Sequence, residues 1–147
     1  MRHQVSGKKF SRNTKQRKAL FLALLRGLVK NGEMVTTLAK AKSVRRLAEK
    51  LLTTARQKDV AARREVLKVL RDRDITNKLV DEIAPLFKNR PGGYLRIIKL
   101  NERLGDNAAM AKIEFVTKIQ ALKKVEAKAE PEKNEKEESV SEKKIQK

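Results

Sequence analysis

Few side chains of this 147-residue sequence are of the types that perform acid–base, nucleophilic or metal chemistry. The sequence has no cysteine, which excludes a disulfide framework, a zinc ribbon, an iron–sulfur site and a thiol nucleophile. Its one histidine, His3, excludes a histidine cluster for metal and a two-histidine acid–base pair. Neither glycine-rich phosphate loop, GxGxxG or GxxxxGK[ST], occurs. We therefore predict no catalytic site, no metal site and no cofactor.

The chemistry that the sequence favours is the neutralisation of negative charge. Lys and Arg number 37 against 18 Asp and Glu, which gives a net charge of +19. Such a charge on a 16.8 kDa chain fits a polyanion, either nucleic acid or an anionic membrane surface. The longest apolar run, residues 19–25, is far shorter than the roughly twenty residues that a spanning helix needs. Residues 1–32 carry nine basic and no acidic side chains, which is also typical of a mitochondrial presequence.

The first basic group is an N-terminal arm, residues 1–13, which has no periodic apolar face. Gly7 and two serines favour an extended, irregular segment that follows a phosphate backbone closely. Each phosphate that is neutralised releases condensed counterions, and this release drives binding. The alternative is a disordered tail that only aids solubility. The arm's candidate contacts are Arg2, His3, Lys8, Lys9 and Arg12.

The second basic group lies on two predicted helices. Lys15 and Lys18 belong to the first, on the face opposite its apolar residues. On the second, a stripe of basic side chains repeats every four residues and has two basic neighbours. The alternative is a basic face that is only solvated. The stripe is Lys42, Arg46 and Lys50, and its neighbours are Lys40 and Arg45.

The third group is a glycine turn between basic residues. Its paired glycines permit positive φ and the close approach of another backbone. Tyr94 is a candidate for stacking on an unpaired base, and the arginines are candidates for gripping phosphates. The alternative is an ordinary loop in which Tyr94 packs in the core. The candidates are Arg90, Gly92, Gly93, Tyr94 and Arg96.

Hydrophobic spacing and capping signals predict an α+β fold: four main helices packed on a small three-stranded sheet. The first helix is predicted at about 14–30, with either Asn13 or Thr14 as its N-cap and Asn31-Gly32 at its end. Further helices are predicted at about 38–56 and 60–70, the latter capped by Asp59, and a fourth is capped by Asp74 and ended or kinked by Pro85. Strands are predicted at 33–37, 94–100 and 109–116, the last because Met110, Lys112 and Glu114 alternate with Ala111, Ile113 and Phe115. The predicted divisions are the arm, residues 1–13, an α+β domain, residues 14–116, and a flexible, charged, low-complexity tail, residues 117–147.

The inward face of the first helix is predicted from three- and four-residue spacing. Leu20, Phe21, Leu24 and Leu28 share that face. Lys15, Lys18, Arg26 and Lys30 fall on the opposite face of the helix.

Three motifs, in order along the chain, resemble the bacterial large ribosomal subunit protein seventeen family. They are MRHxxxGxxFxRN at 1–13, TTLxKAKxxRR at 36–46, and GGYxRI at 92–97 followed by GDNAxMA at 105–111. The family usually has Pro at the positions of Ala39 and Ala109, and often Thr at the position of Leu95. The resemblance covers residues 1 to about 116 and does not extend to the tail.

The resemblance implies an α+β protein that binds large-subunit ribosomal RNA, contacts neighbouring ribosomal proteins and resides in the ribosome of the cytoplasm. It implies no catalysis, no cofactor, no membrane and no small-molecule substrate. One alternative is a basic DNA-binding module, although no compact helix-turn-helix spacing is present. Another is a small basic nuclease, although no carboxylate cluster for a metal ion is present.

Overall fold

The computed structural model describes residues 8–57, 59–117 and 119. In chain order, the elements are α1 Thr14–Asn31, β1 Glu33–Thr37, α2 Leu38–Ala55, α3 Val60–Leu70, α4, β2 Leu95–Lys99 and β3 Met110–Phe115. α4 is a continuous helical run of three segments: α-helical Arg73–Asn77, π-helical Lys78–Ile83 and α-helical Ala84–Leu86. Four helices therefore pack with one three-stranded sheet, which confirms the predicted α+β fold. Residues 1–7 of the predicted arm and most of the predicted tail lie outside the described residues.

α1 begins and ends where the sequence predicts. The Asn13 side chain accepts a hydrogen bond from the Gln16 N–H at 2.9 Å, and the Gln16 side chain accepts one from the Asn13 N–H, which completes a capping box. At the other end, Gly32 adopts φ +79°, the left-handed conformation that a C-terminal glycine supplies without a steric penalty. Local side-chain chemistry is thus sufficient to set the length of α1.

The inward face of α1 is only partly the predicted one. Leu28 is buried as predicted, together with Leu25 and Val29, whereas Leu20, Phe21 and Leu24 are only half-buried. The first half of α1 therefore borders an open groove instead of lying under the core. Spacing fixes which residues share a face, but it does not reveal how far along the helix its neighbours extend.

Arg26 is not a solvated residue. Its guanidinium Nε and Nη2 donate hydrogen bonds to the carbonyls of Leu70 and Arg71, each at 2.8 Å. These carbonyls lie at the end of α3, where the last backbone oxygens lack helical partners. Arg26 therefore ties α1 to the C-terminal end of α3, a structural role that its place opposite the apolar face does not reveal.

Asp72, not Asp74, caps α4. The Asp72 carboxylate accepts a hydrogen bond from the Ile75 N–H at 3.1 Å. Asp74 lies two residues further on, within the first turn, where a carboxylate interacts favourably with the positive end of the helix dipole. Asp59 occupies the predicted cap position of α3, but its side chain makes no capping hydrogen bond.

The π-helical segment of α4 ends at Ile83, two residues before Pro85. Proline has no N–H to donate, and its ring crowds the carbonyl four residues earlier. The backbone is widened at this point: the Ala84 N–H donates to the Leu79 carbonyl, five residues back. The helix then ends at Leu86, one residue after the proline that was predicted to end or kink it.

The sheet has the order β1-β3-β2 and is antiparallel throughout. Ile113 of the central strand lies opposite Met34 on one side and Ile97 on the other. Ala111, Ile113 and Phe115 are buried on one sheet face, as the alternating pattern of β3 predicts. Glu114 departs from that pattern because it points to the other face and is nevertheless only 8% exposed.

Gly93 should be the sensitive glycine of the turn at residues 90–94. It adopts φ +65°, whereas Gly92 has no positive φ, and a Cβ added to either glycine meets nothing within 4 Å. Replacing Gly93 with Ala should therefore lower the free energy of unfolding by about 1 kcal/mol through backbone strain alone. Gly92→Ala is the matched control and should be nearly neutral. Equal losses in urea unfolding of the two variants would contradict this assignment.

Candidate nucleic-acid interface

The described part of the arm is a turn pinned to α1, not an extended segment. The Arg12 N–H donates to the Lys9 carbonyl at 3.2 Å, and both residues between them, Phe10 and Ser11, adopt positive φ. The Phe10 ring meets the Phe21 ring edge-on, with centroids 6.0 Å apart. Residues 9–12 therefore have fixed positions relative to α1, which contradicts the predicted extended conformation.

The basic side chains around the start of α1 carry uncompensated charge. Two of the predicted contacts, Arg2 and His3, lie outside the described residues. The others are exposed, and none forms an ion pair with a described carboxylate. The first turn of α1 has no acidic residue to offset the positive end of its dipole. These exposed cations are Lys8, Lys9, Arg12, Lys15 and Lys18.

The predicted stripe on α2 is present and faces solvent. Lys42, Arg46 and Lys50 are exposed at successive four-residue intervals, and none has a carboxylate partner among the described residues. Lys40 is half-buried in the first turn. Arg45 differs, since its Nε lies 3.0 Å from the Glu49 carboxylate. The stripe itself is therefore the strongest source of free positive charge on this helix.

Packing brings basic side chains of three helices to one groove. Lys18 of α1 and Lys50 of α2 both line it, so these two predicted contacts are neighbours in space. Arg17 and Lys68 line the same groove, although neither was predicted from the sequence as a binding residue. Nothing in the local spacing marks either residue, because their proximity depends on how α1, α2 and α3 cross.

Tyr94 is packed in the core, and the prediction that it stacks on a base is wrong. Its side chain is only 1% exposed. Its ring meets the Phe87 ring edge-on at 5.4 Å between centroids, and Phe87 also contacts Phe115. Neither face of the tyrosine is available to a base, so the alternative of an ordinary turn with a buried tyrosine is the one observed.

Arg56 holds the glycine turn in place, although it was not among the residues predicted from the sequence. Its Nη1 donates to the Arg90 carbonyl at 2.9 Å and to the Tyr94 hydroxyl at 2.8 Å. Its Nη2 donates to the Lys88 carbonyl at 2.9 Å. The partners are more than 30 residues away in sequence, so no local signal could have found them. Arg90 itself is exposed and is therefore displayed on a turn that Arg56 fixes.

Arg96 is not a free cation, because Glu114 compensates its charge. Arg96 of β2 donates to the Glu114 carboxylate of β3 on the sheet face opposite the helices. Lys112 Nζ lies 3.0 Å from the same carboxylate and 2.7 Å from that of Glu33. Hydrogen bonds from Lys112 and Arg96 lower the pKa of Glu114 below its ordinary value. The four residues of this network, which stabilises the sheet, are Glu33, Arg96, Lys112 and Glu114. Because Arg96 is paired within the network, it is a weaker candidate for contacting phosphate.

The network should make stability depend on pH in the acid range. Because the Glu114 pKa is lowered on folding, its stabilising effect is complete above the ordinary value of 4.5 and is lost as the pH falls through the lower folded value. Glu114→Gln should lower the free energy of unfolding at neutral pH by roughly 1 kcal/mol. The difference from wild type should shrink towards zero in acid.

The control is Glu33→Gln, because Glu33 is 48% exposed and bonds only Lys112 within this network. Urea unfolding from neutral pH into the acid range should show a smaller effect for this control. A Glu114→Gln deficit that stays constant across that range would contradict the role assigned to the carboxylate.

The predicted contacts do not all meet in one groove. Lys18 of α1 and Lys50 of the stripe on α2 share a groove, and Arg90 does not line it. The glycine turn is held by Arg56, which follows Lys50 by six residues, about 9 Å along the helix at 1.5 Å per residue. Arg90 is therefore a separate candidate contact, near one end of the stripe.

The described residues contain no cluster of three or more histidine or acidic side chains that could hold a metal ion. Over the same residues, no helix is long and apolar enough to cross a membrane.

Comparison with known proteins gives consistent matches over about four-fifths of the chain. The family model described as ribosomal protein L17 matches residues 20–116. A protein of Dictyoglomus turgidum named large ribosomal subunit protein bL17 is 54% identical over 116 residues, which cover 79% of this chain and 100% of that protein. Proteins of the same name from Sulfurihydrogenibium and Thermodesulfovibrio yellowstonii are 50% and 48% identical, again over 79% of this chain and over 97% and 87% of their own lengths.

Proposed function

The chain belongs to the ribosomal protein L17 family, and on that premise we propose that it is a structural constituent of the large ribosomal subunit that binds large-subunit ribosomal RNA. The relatives named above are large-subunit proteins by name. Members of the family are structural components of the ribosome and not enzymes. Neighbouring large-subunit proteins are the other proposed partners, and the ribosome of the cytoplasm is the proposed location.

The observation that carries the RNA proposal is a group of exposed, unpaired cations. No described carboxylate forms an ion pair with any of them. Folded RNA brings phosphates close together, and cations on a rigid surface reduce the resulting repulsion and release counterions. The group, which we call the basic face, consists of Lys8, Lys9, Arg12, Lys15, Lys18, Lys42, Arg46 and Lys50.

The proposed mode of recognition is shape and backbone contact. Lysines dominate the basic face, and a lysine ammonium binds phosphate as a point charge without reading a base edge. The buried position of Tyr94 removes the one candidate for aromatic stacking on a base. Seven further residues, outside the basic face, remain proposed contacts of lower weight. They are Arg2, His3, Lys40, Arg45, Arg90, Gly92 and Gly93.

The proposed working unit is residues 1–116, with 1–13 as the arm, 14–116 as the RNA-binding domain and 117–147 as a tail. The family match ends at residue 116, and the alignments with relatives are 116 or 117 residues long. The contact between Phe10 and Phe21 supports treating the end of the arm as part of the packed surface.

The proposal is tested by two measurements. At one salt concentration, the protein should bind a structured fragment of large-subunit ribosomal RNA more tightly than duplex DNA of equal charge. In a lysate fractionated on a sucrose gradient, the protein should sediment with large subunits, and a chain ending at Thr117 should do the same. Preference for duplex DNA would favour the alternative of a DNA-binding module. Absence from the large-subunit fractions would contradict the ribosomal role.

A further inference from the structure

An apolar groove of about 690 Å³ opens between α1, α2 and α3. Its apolar walls combine core residues with residues that reach solvent. Leu25 and Leu51 form the floor at 3% and 9% exposure, whereas Leu47 and Val69 are 39% and 44% exposed. The apolar lining is Phe21, Leu22, Leu25, Leu47, Leu51 and Val69. Apolar side chains of this groove therefore extend from the core to solvent.

The walls of this groove suit apolar side chains better than they suit RNA. Five of its six apolar residues are aliphatic, and aliphatic side chains offer neither hydrogen bonds to phosphate nor flat surfaces for stacked bases. The sixth, Phe21, already contacts the ring of Phe10. A groove between helices with leucine walls is the geometry that accepts the apolar stripe of an amphipathic helix.

The rim of the groove carries excess positive charge. Four cations, Arg17, Lys18, Lys50 and Lys68, line it, against one carboxylate, Glu65. None of these five side chains forms an ion pair among the described residues. Charge complementarity therefore favours an acidic occupant.

We propose that this groove docks an acidic amphipathic helix of another protein. Leucine-type side chains at positions i, i+3 or i+4, and i+7 of that helix enter the groove, and glutamates or aspartates beside them face the four rim cations. This inference goes beyond RNA binding and does not depend on it. Lys18 and Lys50 belong to both surfaces, so RNA and the acidic helix compete for them.

The test uses the full-length protein and a designed probe. The probe is a fluorescein-labelled synthetic peptide of about 15 residues, roughly four helical turns, with one leucine stripe and glutamates on both flanks. Binding is followed by fluorescence anisotropy. A peptide of the same composition in scrambled order controls for charge attraction alone, and it should bind at least about tenfold more weakly.

Two sets of variants locate the binding site. Leu47→Gln combined with Val69→Gln should weaken binding of the acidic helix about tenfold or more. Leu104→Gln is the matched control, because Leu104 is 98% exposed and does not line the groove. Lys50→Glu combined with Lys68→Glu should reverse the charge preference, so that a lysine-flanked version of the helix binds better than the glutamate-flanked one. The second pair leaves the apolar walls intact, so it tests the proposal even if the first pair perturbs folding.

Three results would overturn the proposal. The first is equal binding of the ordered and scrambled peptides. The second is binding of the acidic helix that both groove variants leave unchanged. The third is a different occupant of the groove. In that case the acidic helix does not bind, and Leu47→Gln with Val69→Gln abolishes either self-association of the protein or its binding to a ribosomal RNA fragment. Failure of the helix to bind while RNA affinity remains normal would reject this docking site and leave the proposed ribosomal function intact.

Discussion

The affinity of the protein for ribosomal RNA should fall roughly 10³- to 10⁵-fold between about 50 and 200 mM salt. The basic face has eight exposed cations without described carboxylate partners, which lies within the six to ten phosphate contacts for which a loss of this size is expected. Each contact releases condensed counterions, and added salt opposes that release. Filter binding or anisotropy against one structured RNA fragment, over a series of salt concentrations, measures the slope.

Substitutions in the stripe on α2 test which side chains cause this salt dependence. Lys42→Gln, Arg46→Gln and Lys50→Gln together should reduce the slope of log affinity against log salt by roughly 2 to 3. The matched control removes the same charge from three exposed positions outside the basic face: Arg64→Gln, Arg73→Gln and Lys99→Gln. Its slope should change little. A flat salt dependence of the wild type, or equal slopes for the two triple variants, would contradict electrostatic anchoring through this face.

Arg56→Ala should be among the most destabilising single substitutions outside the apolar core. The change removes three hydrogen bonds to the segment at residues 88–94, including the one that the Tyr94 hydroxyl accepts. That hydroxyl keeps its long contact with the Pro91 carbonyl, at 3.4 Å. The substitution also removes the guanidinium, whose central carbon lies 5.9 Å from the centre of the Tyr94 ring.

Since hydrogen bonds from charged donors contribute more than neutral ones, we expect Arg56→Ala to lower the free energy of unfolding by roughly 2–3 kcal/mol. That loss corresponds to a Tm lower by about 10–20 °C for a domain of this size.

Tyrosine fluorescence provides a direct local measurement for Arg56→Ala. The chain has one tyrosine and no tryptophan, so the emission reports on Tyr94 alone. Loss of the guanidinium should change that emission in the folded variant at temperatures well below its Tm. Arg64→Ala, an exposed change on α3, should alter neither the emission nor the Tm. Arg56→Lys keeps the charge but cannot bond all three acceptors, so it should recover only part of the stability. If Arg56→Ala has the same Tm as the wild type, Arg56 does not stabilise the glycine turn.

Elements whose signals lie within a few residues were predicted from the sequence with nearly correct bounds. α1 is the clearest case, since Asn13 and Gln16 form the capping box at one end and Gly32 supplies the left-handed residue at the other. The cap of α4 shows the limit of the same approach. Asp72 and Asp74 are both good capping residues, and the choice depends on where α3 ends, which is fixed by the packing of Leu70 and by Arg26.

The sequence predicted which charged residues belong to the candidate interface, but not how those residues are arranged on the surface. The stripe on α2 follows from helical periodicity, and the structure exposes it as predicted. The proximity of Lys18 to Lys50, and the membership of Arg17 and Lys68 in the same groove, depend on helix crossings that no local spacing reveals. Arg96 and Tyr94 were predicted as contacts because of their chemical type. In the folded protein, the Arg96 guanidinium bonds Glu114 and the Tyr94 hydroxyl bonds Arg56, and both partners are distant in sequence.

The sequence by itself determined the net charge of +19, the capping of α1, the alternation of β3 and the family to which the chain belongs. These properties depend on composition or on residues within one or two turns of each other, where the backbone geometry is nearly fixed. Only the tertiary structure decided which cations are structural and which are free. Arg26 and Arg56 bond carbonyls that lie 32 to 45 residues away, and those carbonyls became available only because the helices pack as they do. A guanidinium carries the same charge in either role, so its function depends on whether folding brings acceptors within reach.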